Sequence, residues 1–232
     1  MLTYQTVMRE DRNSLVNFFA RYPKKKYDAG EVIISSGGEA RYIFFIDKGI
    51  VRSFYIDEKG NELTINLFKP LNLFPLSAVL AERGNVYNIQ AFTSVEVSFA
   101  PVPVVLKHLD ENSQLKNRII RNFAKGLEGY VIRSFFLIKG SASQKVASTF
   151  LMLTKRFGKK INRLITINLP LTHQNIADLA GITRETASIQ IGLLKKEKII
   201  STQGKRIAIL SFSKLSRKAS EDDDGILTNL SF

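Results

Sequence analysis

Arg184, Glu185, Ser188 and Ile189 fall at i, i+1, i+4 and i+5, a spacing that places all four on one face of a helix. Arginine and glutamate carry the donors and acceptors that base edges in a DNA major groove can match. These residues sit near the start of their helix, the end from which recognition helices read bases. The chemistry they predict is recognition of a duplex rather than bond making.

The surrounding residues predict how that face is held. Thr172 is a good N-cap for a first helix, because its hydroxyl can accept from an orphan N–H. Ile176, Ala177 and Ala180 recur on an inward face of that helix. Gly181 stands where the chain must reverse, and glycine takes a positive φ at little cost. Thr183 caps a second helix, whose Ala187, Ile191 and Leu194 recur at i, i+4 and i+7. An ordinary helical hairpin shows the same local pattern, so the charge map has to separate the two readings.

The chain has 232 residues and a net charge of +13. Of its 34 lysines and arginines, 16 lie in residues 139–218 against only 3 acidic residues. Residues 1–138 are near balance, and Glu221, Asp222, Asp223 and Asp224 make the far end acidic. The positive excess therefore coincides with the helix-turn-helix, as phosphate binding requires. There is no cysteine. That excludes thiol nucleophiles, disulfides, thiolate zinc sites and cysteine-bound iron–sulfur clusters. No metal site and no catalytic residues are expected: two histidines, no glycine-rich phosphate loop and no paired-carboxylate motif argue against an enzyme. The first residues lack a basic stretch followed by an apolar one, and no apolar run is long enough to span a bilayer. The expectation is a cytoplasmic protein without membrane contact.

Two folded regions are needed to carry this face. After a short helix over residues 11–20, residues 24–100 read as short strands: Val32–Ile34, Tyr42–Ile46, Val51–Ile56, Leu63–Leu67, Tyr87–Phe92 and Val95–Phe99. Turns at Asp28–Gly30, Ser36–Glu39, Asp47–Gly49 and Asp57–Gly60 punctuate them. The fold class is α+β, with an N-terminal antiparallel β-barrel or jelly roll. A long helix is predicted from Asp110 to about Ile138. Its Ile120, Phe123, Leu127, Tyr130, Ser134 and Leu137 alternate by three and four, the seam of a coiled-coil dimer. Packing against the chain's own barrel is the alternative. Residues 139–143 read as a hinge with a new N-cap, followed by a helix to about Phe157 and a strand over Leu164–Asn168. Ile199–Ser201 and Arg206–Leu210 flank Gln203-Gly204-Lys205 as a hairpin, the wing of a winged helix. The expected domains are a barrel over 1–110, a dimer helix over 111–138, a winged helix-turn-helix over 139–212 and a flexible acidic tail over 213–232.

Barrel, long helix, hinge and winged helix-turn-helix, in that order, resemble the bacterial Crp/Fnr transcription regulators over roughly residues 25–212. The run from Gly38 to Gly49 looks like the family's barrel motif, and Asp57–Glu62 like its next hairpin. Leu171–Ala177 and Thr183–Thr186 look like its DNA-binding signature. The resemblance implies a homodimer on a pseudo-palindromic duplex, with RNA polymerase as a further partner. It places Arg184 and Glu185 on base edges and makes Ser188 a second reading position. Ile189 stands where the family usually has arginine; it can only touch a thymine methyl, so the usual half-site is not expected unchanged. Thr172, His173, Gln174, Lys205 and Arg206 are placed on phosphates.

Cyclic-AMP-binding members carry Gly-Glu-Leu on the ribose and phosphate, then Arg-Ser on the cyclic phosphate. Here these positions read Pro75-Leu76-Ser77 and Asn85-Val86. An anionic phosphate buried without its arginine is costly, so cyclic AMP is not expected as effector. No cofactor is expected, and His108 is read as a surface helix position rather than a haem ligand. A candidate effector pocket combines Phe74, Leu76, Tyr87, Asn88 and Gln90 from the sheet with Tyr130, Arg133 and Ser134 from the long helix. A small organic acid or an uncharged aromatic would fit it; a filled core with no ligand is the alternative. Two other functions remain open at this point: an architectural DNA protein without sequence preference, and a cyclic-nucleotide-responsive regulator with an atypical pocket.

Overall fold

The computed structural model describes residues 14–161 and 164–220. The chain divides into two compact units, Met1–Gly126 and Leu127–Phe232.

In the first unit, residues 14–19 belong to a helix, α1; residues 11–13 of the expected helix lie outside the described residues. Eight strands follow: β1 (Lys24–Tyr27), β2 (Val32–Ile34), β3 (Tyr42–Lys48), β4 (Val51–Ile56), β5 (Glu62–Phe68), β6 (Leu73–Phe74), β7 (Asn88–Ala91) and β8 (Val95–Pro101). A short helix, α2 (Leu76–Leu80), interrupts them, and α3 (Val102–Asp110) ends the run. The strands form two four-stranded antiparallel sheets, ordered β1-β8-β3-β6 and β2-β7-β4-β5. The chain repeatedly changes sheet between consecutive strands, which is the jelly-roll arrangement.

Alternation along the strands fills two apolar clusters. Ile46, Val51, Phe74, Ile89, Ala91, Val95 and Val97 form one. In the other, α1 and α3 bring Phe18, Phe19, Val105 and Leu109 onto Ile43, Phe45 and Leu76. Phe19 stacks on Phe45 with ring centroids 5.0 Å apart. Gly49 has φ +86°, and a Cβ there would collide with the Ser94 carbonyl and the Val95 side chain, so the turn between β3 and β4 requires glycine.

β1 is hidden in the sequence, because Lys24-Lys25-Lys26 offers no apolar alternation. The strand pairs with β8, and Lys25 lies over the Tyr27 ring at 4.6 Å. The long helix is also shorter than expected at its start. α3 ends at Asp110 and α4 (Ser113–Lys139) begins after a break. Asn112 bends back there to donate to the His108 carbonyl at 2.7 Å. His108 is not a plain surface residue: it is half-buried, and its ring stacks on Phe18 at 4.1 Å.

The division between the units falls within α4. The second unit continues with α5 (Ala142–Phe157), β9 (Gly158–Ile161), β10 (Leu164–Ile167), α6 (His173–Ala180), α7 (Arg184–Lys196), β11 (Ile200–Gln203), β12 (Arg206–Ile209) and α8 (Phe212–Ser220). Ser141 caps α5 in a reciprocal capping box with Gln144. One antiparallel sheet, ordered β11-β12-β10-β9, carries the wing. The strand β9, with Lys159 and Lys160, was not anticipated.

The expected flexible tail from residue 213 is corrected by α8. Ser211 Oγ accepts from Lys214 N at 3.3 Å, capping the helix, while Leu215 and Ala219 are fully buried in its contact with α5. The two apolar residues at i and i+4 drive that burial. The acidic run from Glu221 lies outside the described residues. Among the described residues no helix is long and apolar enough to cross a membrane.

Candidate nucleic-acid interface

α6 and α7 form the helix-turn-helix. Thr172 Oγ1 accepts from Asn175 N at 3.1 Å, and the Asn175 side chain returns a bond to Thr172 N at 3.0 Å. This capping box occupies Thr172, a candidate phosphate contact. Gly181 turns the chain with φ +62°. Thr183 Oγ1 then accepts from Thr186 N at 3.2 Å and starts α7.

One face of α7 is sunk into the unit: Ala187, Ile191 and Leu194 are buried. The other face carries the predicted reading residues. Arg184 and Glu185 are exposed, Ser188 is half-buried and Ile189 is 62% exposed. Ile189 therefore turns outward and not into the core. Two further outward residues, Gly192 and Leu193, were not singled out from the sequence. Leu193 lies at i+4 from Ile189, the spacing that could have marked it. A Cβ on Gly192 would meet nothing within 4 Å.

The candidate phosphate residues flank this face differently. His173 is exposed, and its Nδ1 lies 2.7 Å from Ser188 Oγ. Gln174 is also exposed, but its amide donates to the buried Asp178 carboxylate at 2.6 Å. Its first task is therefore to satisfy that carboxylate. Lys205 and Arg206 are exposed at the tip of the wing, where Gln203 pairs with Arg206 across Gly204. The Lys205 carbonyl accepts from Leu171 N at 3.1 Å, which ties the wing to the entrance of α6.

The effector-pocket residues of the first unit do not share one face. Phe74 is fully buried in the sandwich core, stacked on Phe44 at 5.2 Å. Leu76 belongs to the other cluster. On β7, Ile89 and Ala91 face the core, so alternation turns Asn88 and Gln90 to the opposite face. There Asn88 accepts from Ser36 N at 3.2 Å, and Gln90 donates to the Gly30 carbonyl at 2.7 Å. Gln90 also accepts from the buried Arg52 at 2.6 Å. These residues tie turns to the sheet rather than lining one interior cavity with Phe74. The Tyr87 carbonyl accepts from Asn85 Nδ2. In the second unit, Ser134 Oγ donates to the Val131 carbonyl at 2.7 Å, and Arg133 donates to the Leu179 carbonyl at 2.8 Å. Tyr130 is 40% exposed.

Asn85 stands where the resemblance implies an arginine for a cyclic phosphate. It is buried, and its Oδ1 has no hydrogen-bond partner. A neutral amide brings no positive charge to offset the negative charge of a phosphate.

Comparison with known proteins agrees with this layout. The family model of the cyclic nucleotide-binding domain matches residues 24–112, and that of the Crp-like helix-turn-helix domain matches residues 144–218. The chain is 30% identical over 198 residues to the global nitrogen regulator of Nostoc sp. (strain PCC 7120), a match that covers 83% of this chain and 87% of that one. A Crp/Fnr-family transcriptional regulator from Thermus thermophilus has 25% identity and a TM-score of 0.65, covering 85% of this chain and 98% of its own. FixK2 from Bradyrhizobium japonicum shares the fold with a TM-score of 0.73 at 20% identity, over 84% of this chain and 95% of that one.

Proposed function

Because the chain belongs to the Crp/Fnr family of DNA-binding transcription regulators, and is not an enzyme, we propose that it binds a pseudo-palindromic duplex as a homodimer. The observation that carries the reading is the outward face of α7, where Arg184, Glu185 and Ile189 are left in solvent by a helix anchored through Ala187, Ile191 and Leu194. Arg184 takes a guanine through O6 and N7, Glu185 accepts from a cytosine amino group, and Ile189 packs on a thymine methyl. Ser188 addresses a neighbouring base pair. Thr172, His173, Gln174, Lys205 and Arg206 hold phosphates and set the register.

Dimerisation rests on α4. Ile120, Phe123, Leu127 and Tyr130 are 56%, 42%, 65% and 40% exposed in the single chain. A coiled-coil seam with Ser134 and Leu137 buries that stripe against a second copy. Two heads related by a two-fold axis then meet half-sites one helical turn apart. The effector, where one gates the dimer, is a small molecule other than a cyclic nucleotide, since Asn85 brings no charge to neutralise the phosphate. RNA polymerase is the further partner, the compartment is the cytoplasm, and no cofactor is required.

Sedimentation of the protein with a single-site duplex tests the assembly. Two chains per duplex are expected; one chain per duplex at saturation would contradict the dimer.

A further inference from the structure

We infer that His173 fixes the orientation of the Ser188 hydroxyl and thereby decides which base edge Ser188 selects. The inference rests on α7 entering the groove as proposed above, and makes His173 a positioning residue for sequence reading as well as a phosphate neighbour.

A serine inside a helix ordinarily turns its hydroxyl back to a carbonyl of the preceding turn. Three helical serines in this unit do so. Ser134 donates to the Val131 carbonyl at 2.7 Å, Ser148 to the Lys145 carbonyl at 3.0 Å and Ser220 to the Ser216 carbonyl at 3.0 Å. Ser188 instead bonds across to another helix, with its Oγ 2.7 Å from His173 Nδ1. His173 is held for this contact. It is the first residue of α6, inside the Thr172–Asn175 capping box, and the left-handed Gly181 turn folds the start of α6 against α7.

A hydroxyl has one proton and two lone pairs, and a freely rotating serine pairs with donors and acceptors alike. Alone on a recognition helix it therefore discriminates poorly. The imidazole removes that freedom. If Nδ1 accepts the serine proton, only lone pairs face the DNA, and they select the amino group of adenine or cytosine. If Nδ1 donates, the serine proton is free for guanine O6, guanine N7 or thymine O4. Either tautomer converts an indifferent contact into a selective one. Ser188 lies one turn after Arg184 on the exposed side, so the selected base pair adjoins those read by Arg184 and Glu185.

The test is selection from a randomised duplex library with the full chain and four variants: Ser188→Ala, His173→Ala, His173→Asn and the double alanine variant. Ser188→Ala is expected to abolish a preference of about tenfold at one base pair of each half-site. His173→Ala is expected to abolish it at the same base pair, while preferences at the other positions persist. His173→Asn, which keeps a polar atom near the place of Nδ1, restores it. The double variant is expected to look like either single one. His173 is exposed, so its loss leaves the fold intact, which a thermal melt verifies. Retention of the preference in His173→Ala, or an unchanged profile in Ser188→Ala, would overturn the inference while the DNA-reading function stands. Failure of the unsubstituted protein to enrich any sequence would remove both.

Discussion

Arg133 Nη2 donates to the Leu179 carbonyl oxygen at 2.8 Å, so the C-terminal part of α4 is bonded to the last turn of α6. The last carbonyls of a helix lack donors of their own, and a cation there complements the helix dipole. Burial pulls the guanidinium pKa below its ordinary value; the nearby Tyr130 opposes the shift and Arg156 adds to it. Even so, an arginine stays charged. Truncation by Arg133→Ala is expected to cost the second unit about 1–3 kcal/mol in urea denaturation, because a buried acceptor loses its charged donor. Unchanged stability would show that the contact carries nothing.

The exposed seam of α4 makes a separate prediction. Leu127→Glu places a charge in the middle of the apolar stripe and at the same position in both copies. The protein is expected to sediment as a monomer and to lose affinity for a two-half-site duplex by about a hundredfold or more, since the avidity of linked heads is lost. A dimer of undiminished affinity would move the interface elsewhere.

His108 makes the first unit sensitive to pH. Burial depresses its pKa below the ordinary 6.5; Arg21 adds to the depression and Glu111 opposes it. The folded state therefore favours the neutral imidazole, while the unfolded chain takes up a proton near 6.5. Stability from this group is complete above that pH and is lost as pH falls from there through the lower folded pKa. Denaturation midpoints measured from about pH 7.5 downward, at about half-unit steps, should decline more steeply for the unsubstituted protein than for His108→Leu. Parallel curves would mean that the ring titrates as freely as in the unfolded chain.

Ile189 predicts a change of specificity. Replacing it by Arg gives α7 a bidentate donor at a position that now offers only apolar surface. The base opposite residue 189 is expected to shift from thymine to guanine, with about 1–3 kcal/mol of discrimination. An unaltered profile would place Ile189 outside the groove.

The helix-turn-helix was legible in the sequence because local rules write it. Thr172, Gly181 and Thr183 are caps and a turn, and their partners lie within five residues. The jelly roll was legible as strands and turns, but β1 was hidden because lysines carry no apolar alternation. α8 was hidden behind the acidic run that follows it, although Leu215 and Ala219 mark one face. Phe74 faces the core while Asn88 and Gln90 face away from it, which only the in-and-out alternation along β7 shows. The bond between His173 and Ser188 spans fifteen residues across a turn, so no periodicity announces it.

The proposed function requires sequence-specific reading by two α7 helices on a two-fold axis. Selection from a randomised duplex library at near-physiological salt, without added ligand and then with metabolite extracts, tests it most directly. An enriched inverted repeat is expected, its half-sites about one helical turn apart, with thymine opposite Ile189. Binding that depends steeply on salt yet enriches no sequence under any condition would contradict it and leave only a non-specific attraction to phosphate.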